Sequence, residues 1–368
     1  MNKISIIGTG SVGSTIAYTL AVMGTASEIV MIDINNEKAL GEALDIRQGI
    51  PFCGACSVYA GDYRDAEGSN IVIITSGMAR KAGQSRLELA QTNVNITKQI
   101  IPQITKHAPD ATYIIVSNPV DILTYTFCKR SGLPENRIIG SGTILDTARL
   151  RARLSEYYDI NQGNVHAYVY GEHGDSSFVP WSVANISNIP IADCYRLITR
   201  ADSAYPEFSY EEVEQYVRKS GARVIERKGA TFYAVSISVC HIVKCLLGGI
   251  DTTMTVSTLM HGEYGVSDVC LSTLALVDNQ GVRGKILNCL KADYARIFKS
   301  DIIMDLIRVL GCGVDVPGKL AKNVSAFDID NLRWSKVVIC TDADYDGFQI
   351  RTLVLTMIYR LCPELIRQ

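Results

Sequence analysis

Apolar and polar positions follow two different periodicities along the first 140 residues. Short, apolar, β-branched runs predict buried strands at residues 3–8, 28–33, 71–76 and 112–118. Residues 86–101 have the longer period of a helix, which we expect to end before Pro102. This alternation predicts an α/β fold in which a doubly wound parallel sheet carries helices on both faces.

The succession of predicted strands and helices changes after residue 140. Residues 211–224 are charged and periodic, which predicts a helix with one solvated face. Residues 231–247 predict a more buried helix, and residues 254–277 predict strands around the turn Gly262-Glu-Tyr-Gly265. Beyond residue 282 a further helical stretch runs from Leu290 to Leu310.

The composition is that of a globular protein with a sizeable core. The chain has 368 residues, of which 47% are hydrophobic and 20% charged, and this excludes a disordered chain. Its net charge of −2 gives no general argument for binding nucleic acid or an anionic membrane. The most apolar window, residues 236–250, is interrupted by His241 and Lys244 and is too short to span a bilayer.

The cysteines predict the compartment. There are 11, scattered, and Cys53-Gly-Ala-Cys56 is the sole CxxC, with no second pair to complete a metal site. We therefore expect mostly buried thiols in a reducing cytosol. Since the N-terminus becomes glycine-rich too early for a signal peptide, the expected location is cytoplasmic.

A glycine motif follows the first predicted strand. Gly8-Thr-Gly10-Ser-Val-Gly13 leads directly into a predicted helix, the context in which GxGxxG binds a dinucleotide pyrophosphate. An acid, Asp33, ends the second strand about twenty residues later, where it would bind an adenosine ribose and repel a 2′-phosphate. These features favour NAD over NADP, and the alternative for Asp33 is an ordinary helix cap. The predicted cofactor-binding residues are Gly8, Gly10, Val12, Gly13, Asp33, Gly77 and Asn118.

A candidate acid/base lies in Gly171-Glu-His173-Gly-Asp-Ser176. Histidine exchanges a proton near neutral pH, and acidic neighbours in the motif could hold its ring and favour the charged form. By itself this motif is weak, because a single histidine is more often structural than catalytic.

Six motifs in a fixed order resemble the lactate/malate dehydrogenases, and the L-lactate dehydrogenases in particular, over residues 1–281. They are Gly8–Gly13, Asp33, the loop of residues 80–86, Asn118-Pro-Val-Asp121, Leu145-Asp-Thr-Ala-Arg149 and residues 171–176. The resemblance implies an NAD-binding Rossmann domain at 1–140 and an α+β substrate domain at 141–281.

The same resemblance implies roles for particular residues. His173 would give a proton to the keto oxygen of pyruvate, and Asp146 would orient its ring and stabilise its charge. Arg149 would bind the substrate carboxylate with two parallel hydrogen bonds. Arg86, on a loop that closes over the site, would polarise the carbonyl. Asn118 would help to hold the substrate or the nicotinamide side.

Two positions bear on the choice of substrate. Arg80 stands where lactate dehydrogenases usually have glutamine and malate dehydrogenases have arginine, which favours oxaloacetate and malate. Glu172 and Thr231 instead match the lactate type. The pair pyruvate/lactate is preferred, and malate specificity through Arg80 stays open.

A regulatory site and an assembly are also implied. Arg151 and His166 resemble the pair with which bacterial lactate dehydrogenases bind fructose 1,6-bisphosphate between subunits. Two basic side chains suit a phosphate, while the alternative is a pair of ordinary interface residues. The family is typically tetrameric, so a homo-oligomer is expected.

Residues 282–368 do not continue that pattern. Arg283-Gly-Lys-Ile-Leu-Asn288, the run from Lys336 and the residues after Gly347 resemble part of the TOPRIM region of type IIA topoisomerase B subunits such as DNA gyrase. A strand that ends in Asp-x-Asp-x-Asp would place carboxylates at one strand end, a suitable Mg²⁺ site. The candidate ligands are Asp342, Asp344 and Asp346.

Several features argue against topoisomerase activity. The TOPRIM glutamate motif and the ATPase domain are missing, and Lys and Arg total 13 against 10 Asp and Glu after Val282, so a strong electrostatic DNA footprint is not expected. Solvated carboxylates are preferred to a weak Mg²⁺ site. The chain resembles a fusion of two unrelated segments, whether natural or artefactual, that lacks the C-terminal helix of a dehydrogenase. Three readings remain: a dehydrogenase, a DNA- or partner-binding topoisomerase fragment, and an inactive fusion.

Overall fold

The structure, a computed structural model, describes residues 2–78, 86–197, 209–285, 297–298, 301–316, 324–340 and 345–367. The chain forms two compact units. The first comprises Met1–His261 and Ser267–Arg283. The second comprises Gly262–Val266 and Gly284–Gln368.

Six parallel strands form the first half of the main sheet. All four predicted strands are confirmed, and each is buried because helices cover both faces. The strands lie in the order β3-β2-β1-β4-β5-β6. Their bounds are β1 (Lys3–Ile7), β2 (Glu28–Ile32), β3 (Ser57–Ala60), β4 (Ile71–Ile74), β5 (Thr112–Ile115) and β6 (Ile138–Gly140).

Two hydrophobic cores cover the two faces of these strands. Alternate residues of β1 divide between them, Ile4 and Ile6 on one side and Ile7 on the other. The helices of this half are α1 (Ser11–Val22), α2 (Asn36–Gly49), α3 (Arg86–His107) and α4 (Val120–Arg130).

The predicted end of α3 is wrong. The helix continues through Pro102 to His107. Proline removes one backbone donor and usually ends a helix. Here Ile101 and Ile104 are at most 2% exposed in the core, so burial of this face outweighs the lost hydrogen bond.

Antiparallel strands extend the same sheet from β6. The order continues β6-β10-β11-β12, with β10 (Thr252–His261), β11 (Ser267–Asp278) and β12 (Gly281–Lys285). Strands β7 (Val165–His166), β8 (Asn185–Ile186) and β9 (Ile189–Pro190) form a small separate sheet. The helices are α5 (Ile144–Tyr158), α6 (Ile191–Leu197), α7 (Tyr210–Lys228) and α8 (Tyr233–Gly248). The predicted helices at 211–224 and 231–247 and the strands at 254–277 are therefore confirmed, with small shifts at their ends.

The second unit contains helices and irregular segments. Its helices are α9 (Asp301–Leu310), α10 (Tyr345–Leu361) and α11 (Glu364–Arg367), which share an apolar cluster. Of the predicted helix at 290–310, residues 297 and 301–310 are helical, and residues 290–296 and 299–300 lie outside the described residues. Within this unit Lys285 Nζ lies 3.2 Å from Glu263 Oε1, both side chains being 7% exposed.

The predicted strand before Asp342 is not formed. Residues 336–340 have no regular secondary structure, and Val338 is 67% exposed. A β-branched run becomes a strand only when a neighbouring strand pairs with it, and in the described part of the chain none does.

Most of the described cysteines are buried thiols, as predicted. Ten cysteines fall in the described part of the chain; all are free thiols, and seven are buried. Across the described ranges, no helix is both long enough and apolar enough to cross a membrane.

Candidate active site

A short loop after β7 carries His173. Two backbone hydrogen bonds, each of 2.9 Å, join Gly171 to Ser272 of β11, and further bonds pair Tyr170 with Phe178. Gly171 has φ +93°, a conformation that favours glycine. Backbone hydrogen bonds alone therefore fix the loop on the extended sheet.

Helix α5 supplies the partner of the His173 ring. Asp146, in the first turn of α5, accepts from His173 Nδ1–H through Oδ2 at 2.6 Å. One turn later, Arg149 donates from Nη1 to Asp146 Oδ1 at 2.9 Å. A helical spacing of three residues places both side chains on one face, so one buried carboxylate pairs with a histidine and an arginine.

The charges of this trio support one another. Burial alone lowers the pKa of His173, but the hydrogen bond and negative charge of Asp146 outweigh it and raise that pKa above 6.5. Burial alone raises the pKa of Asp146, and the contacts with His173 and Arg149 bring it below its ordinary value. His173 is thus suited to hold a proton near neutral pH.

The hydrogen-bond partner of His173 Nδ1 is not one of its acidic neighbours in the sequence but Asp146. Glu172 instead accepts from Ser176 Oγ at 2.5 Å on the exposed side of the loop. The ring contacts a carboxylate 27 positions earlier in the chain, which local sequence cannot indicate.

Two further polar groups support the loop: Asp121, named in the sequence only as the end of a motif and given no role, and Ser257, which was not named there. Asp121, in the first turn of α4, accepts from the His173 backbone N–H at 2.8 Å through Oδ2. Ser257 of β10 donates from Oγ to Asp121 Oδ1 at 2.5 Å. A signal was present, since an aspartate among the apolar residues of a predicted strand–helix connection needs buried donors.

A cavity adjoins His173. Asn118 and Ser141 line one part of it, while Val235 and Ser238 of α8 line another. The structure therefore brings Asn118 and His173 together, as predicted. Thr231 lies at the start of the segment that leads into α8, outside the lining of this cavity.

The glycine motif forms a tight turn between β1 and α1. Gly8 has φ +101°, and a Cβ on Gly13 would lie 1.9 Å from the Gly8 carbonyl oxygen, so Gly13 permits close packing of helix on strand. A Cβ on Gly10 would meet nothing within 4 Å. Gly10 is also the N-cap of α1 and supplies no side-chain cap, which leaves the helix N-terminus to an anion. Val12, in the first turn of α1, packs half-buried on the core.

Asp33 lies beside this turn and is held by donors. Oδ2 accepts from Thr9 N at 2.6 Å and from Thr9 Oγ1 at 3.1 Å, and Oδ1 accepts from Asn35 N at 2.9 Å. Burial by itself raises its pKa, but the hydrogen bonds from Asn35 and Thr9 lower the pKa overall. A charged carboxylate beside an open glycine turn fits the ribose and pyrophosphate of NAD.

Asn93 of α3 organises the remaining cofactor residues. Its Oδ1 accepts from Met78 N at 2.8 Å, and its Nδ2 donates to Asn118 O at 2.7 Å. It is 2% exposed and lies 3.3 Å from where a Cβ on Gly77 would stand. Gly77 and Asn118 thus share one buried partner, which sequence reasoning missed.

Some predicted residues lie outside the described ones. They are Arg80, Asp342 and Asp344, together with the side chains of Arg86 and Asp346, whose backbones belong to α3 and α10. No cluster of metal-binding side chains occurs within the ranges that are described.

Arg151 and His166 come close together. Arg151 donates to Gln162 O at 3.0 Å. Burial lowers the pKa of His166, and the charge of Arg151 lowers it further. Two basic groups that disfavour each other's charge suit a bound anion, and their role as a phosphate site stays a prediction.

Known proteins resemble this chain over most of its length. An L-lactate dehydrogenase of Clostridium botulinum is 44% identical over 299 residues, 81% of this chain and 93% of that protein. One of Thermoanaerobacterium saccharolyticum is 45% identical over 282 residues, 77% of this chain and 90% of that protein. The chain belongs to the lactate/malate dehydrogenase family. As a member of this family, it is an oxidoreductase.

Family models and a solved structure agree with this membership. The NAD-binding domain of the lactate/malate dehydrogenases matches residues 2–140, and their α/β C-terminal domain matches residues 143–293. The crystal structure of the minor L-lactate dehydrogenase from Enterococcus mundtii has a TM-score of 0.74 at 36% identity and covers 83% of this chain and 98% of that one. A Toprim domain model matches residues 274–368.

Proposed function

We propose that this chain is an NAD-dependent L-lactate dehydrogenase, which interconverts pyruvate and L-lactate. The observation that supports this most strongly is the arrangement of Asp146 between His173 Nδ1 and Arg149 Nη1, at 2.6 and 2.9 Å. It combines a proton donor with a carboxylate-binding cation beside a cavity.

His173 acts as the general acid in pyruvate reduction. Because Nδ1 is engaged by Asp146, Nε2 is the nitrogen that faces substrate. It donates its proton to the keto oxygen and, in lactate oxidation, takes the proton back from the hydroxyl group. Asp146 stabilises the imidazolium and holds the ring in place, so little reorganisation accompanies proton transfer.

Arg149 binds the substrate carboxylate. Its guanidinium uses Nη1 for Asp146 and lies beside Gly221 of α7, where a Cβ would come within 3.6 Å of Nη2. A planar guanidinium can pair with a substrate carboxylate along a second edge. Arg86 is proposed to polarise the carbonyl, on the resemblance of its loop alone.

The cofactor is proposed to bind at the carboxyl ends of the parallel strands. Gly8, Gly10, Val12 and Gly13 would receive the pyrophosphate and Asp33 the adenosine ribose, while Gly77 and Asn118 would adjoin the nicotinamide side. When bound, NADH supplies the hydride that the carbonyl carbon accepts. Hydrogen-bond donors lower the pKa of Asp33 and so favour its charged form. A negative charge there would repel the 2′-phosphate of NADP, so NAD is the proposed cofactor.

Pyruvate is the proposed substrate because Glu172 and Thr231 match the lactate type. Oxaloacetate remains the alternative through Arg80. A homotetramer with a fructose 1,6-bisphosphate site at Arg151 and His166 is proposed on resemblance, with the Rossmann domain at 1–140, the substrate domain at 141–281 and the TOPRIM-like segment at 282–368.

The TOPRIM-like segment is proposed to lack topoisomerase activity. Residues 336–340, which would precede the carboxylates as a strand, are exposed and irregular. Asp342, Asp344 and Asp346 are therefore proposed to be solvated rather than to hold Mg²⁺. DNA binding is not proposed.

The test follows NADH absorbance with the full chain and either pyruvate or oxaloacetate. We expect faster turnover of pyruvate. Faster turnover of oxaloacetate would assign specificity to Arg80, and no turnover of either by chain that binds NADH would contradict the proposal. Wild type and an Arg153→Lys variant should behave alike, since Arg153 is partly exposed and contacts Glu156 and the ring of Tyr216, both of which a lysine can also contact.

A further inference from the structure

Asp121 is a buried carboxylate to which the proposed reaction gives no role. Its residue is 8% exposed, and both oxygens are engaged. Oδ2 accepts from the backbone N–H of His173 at 2.8 Å and Oδ1 from Ser257 Oγ at 2.5 Å. Removing a carboxylate from water costs free energy of folding, and this cost lowers stability unless hydrogen-bond donors offset it.

The contacts of Asp121 complete the support of the His173 loop. Gly171 is fixed by its two backbone hydrogen bonds with Ser272, and the His173 ring is fixed by Asp146. Asp121 holds the backbone between these two points. Positions of the main chain and of the ring are thus set by different elements, namely α4, α5 and β11.

Ser257 in turn orients Asp121. Ser257 and Ser272 face each other in the register of β10 and β11, and Ser257 also pairs with Gly140 of β6. A Cβ on Gly140 would come 2.8 Å from Ser257 Cβ, so the glycine allows the close approach of Ser257 to β6. A rigid strand therefore holds the aspartate that holds the loop.

We propose that Asp121 is a positioning residue of the dehydrogenase reaction, which holds the His173 backbone and places a second negative charge beside the imidazolium. This rests on the proposed function, in which His173 donates the proton. A second carboxylate, bonded to the His173 backbone N–H rather than to its ring, would favour the protonated form without occupying Nε2.

The charges around His173 define what the experiment must separate. Asp146 and Asp121 favour its charged form, whereas Arg149 opposes it. Burial raises the pKa of Asp121, hydrogen bonds from Ser257 and the His173 N–H and the charge of His173 oppose that rise, and Glu172 adds to it. A pH profile reports the sum, so the variants must remove one contribution at a time.

The experiment compares Asp121→Asn, Ser257→Ala and Glu156→Gln with wild type. Asparagine removes the charge of Asp121. Its amide oxygen can still accept from the His173 N–H, because the Ser257 hydroxyl can rotate to accept from the amide NH₂. Ser257→Ala keeps the Asp121 carboxyl group and removes one of the hydrogen bonds that favour its charged form. Glu156→Gln removes a charge from an exposed site of α5, 63% exposed, and controls for net charge.

Two measurements are made on each variant. The first is kcat/KM for pyruvate reduction against pH. The second is the NMR titration of the His173 ring, assigned by loss of its signal in His173→Gln. The titration needs no turnover, so it tests this inference even if pyruvate proves not to be the substrate.

In Asp121→Asn we expect the His173 titration and the alkaline limb of the profile to move to lower pH by about half a unit or more. Glu156→Gln should leave the His173 titration within about 0.2 units of wild type. Ser257→Ala, which removes a hydrogen bond that favours the charged form of Asp121, should move the titration in the same direction as Asp121→Asn but by less. Asp121→Ala, which also frees the loop, should lower kcat about tenfold or more. An unchanged titration in Asp121→Asn would overturn the proposal, as would an equal shift in Glu156→Gln.

Discussion

The His173 loop and the segment of residues 336–340 both begin as motifs, yet they end in opposite environments. His173 contacts groups from α4 and α5, and its loop is paired with β11. Residues 336–340 are irregular, with Val337 49% and Val338 67% exposed. A motif acquires chemistry only when other parts of the chain supply its neighbours.

The two family matches overlap between these regions. The dehydrogenase match ends at residue 293, while the Toprim match begins at residue 274. In the structure residues 274–278 belong to β11 and residues 281–285 to β12. Residues 336–340 pair with no strand in the described part of the chain.

The largest expected effect tests the better-supported side of this contrast. Replacing His173 with glutamine removes the general acid, and we expect pyruvate reduction to slow by about 10³-fold. NADH titration by fluorescence should be unchanged, because His173 does not contact the glycine turn. Turnover within tenfold of wild type would show that another group donates the proton.

Asp146→Asn tests how the ring is held. Asp146 raises the pKa of His173, and the protonated form reduces pyruvate, so activity is present below that pKa and is lost as pH rises through it. Removing the charge lowers the pKa. We expect kcat to fall about 10²-fold and the alkaline limb to move to lower pH by about one unit.

Lactate oxidation provides the complementary control for Asp146→Asn. It requires neutral His173, so its acid limb should move to lower pH as well. Opposite movement of the two limbs would contradict a shared group.

These site predictions show where sequence reasoning succeeds and where it stops. The strands, the glycine turn and Asp33 follow from local pattern, because strand, turn and helix adjoin in the chain. The pairing of His173 with Asp146 came only through family resemblance, since 27 positions separate the two residues. Asn93 was missed, and Asp121 was named within a motif but given no role, because their partners come from strands and loops that meet only in the folded sheet.

Arg149→Lys tests recognition of the substrate carboxylate. Lysine keeps the charge but loses the planar, two-pronged geometry. We expect kcat/KM for pyruvate to fall about a hundredfold, mainly through KM. Arg153→Lys, four residues further along α5 and paired with Glu156, is the matched control and should stay within about twofold of wild type.

A pair of identical substitutions compares the two regions by stability. Val256 of β10 is 0% exposed and Val338 is 67% exposed. We expect Val256→Ala to cost about 2 kcal/mol in the free energy of unfolding, and Val338→Ala to stay within about 0.5 kcal/mol of wild type.

The two tryptophans allow this stability comparison to be read region by region. Trp181 donates to Glu214 Oε1 at 2.7 Å in the first unit, and Trp334 donates to Val309 O at 2.8 Å in the second. Urea unfolding of Val256→Ala is followed by Trp181 fluorescence in a Trp334→Phe background, and that of Val338→Ala by Trp334 fluorescence in a Trp181→Phe background, so that each probe reports the region that carries the substitution. Equal costs for the two valine substitutions would mean that residues 336–340 are packed in solution.

Magnesium should have the smallest effect of all. Carboxylates chelate Mg²⁺ strongly when a rigid element fixes them in octahedral geometry, and residues 336–340, which precede Asp342, are not part of a strand in the described chain. We therefore expect millimolar Mg²⁺ to leave both pyruvate turnover and the melting temperature unchanged, with Ca²⁺ as the ionic control. A rise in melting temperature with Mg²⁺ alone, abolished by Asp342→Asn and Asp344→Asn together, would show a working metal site and remove the contrast between the two regions.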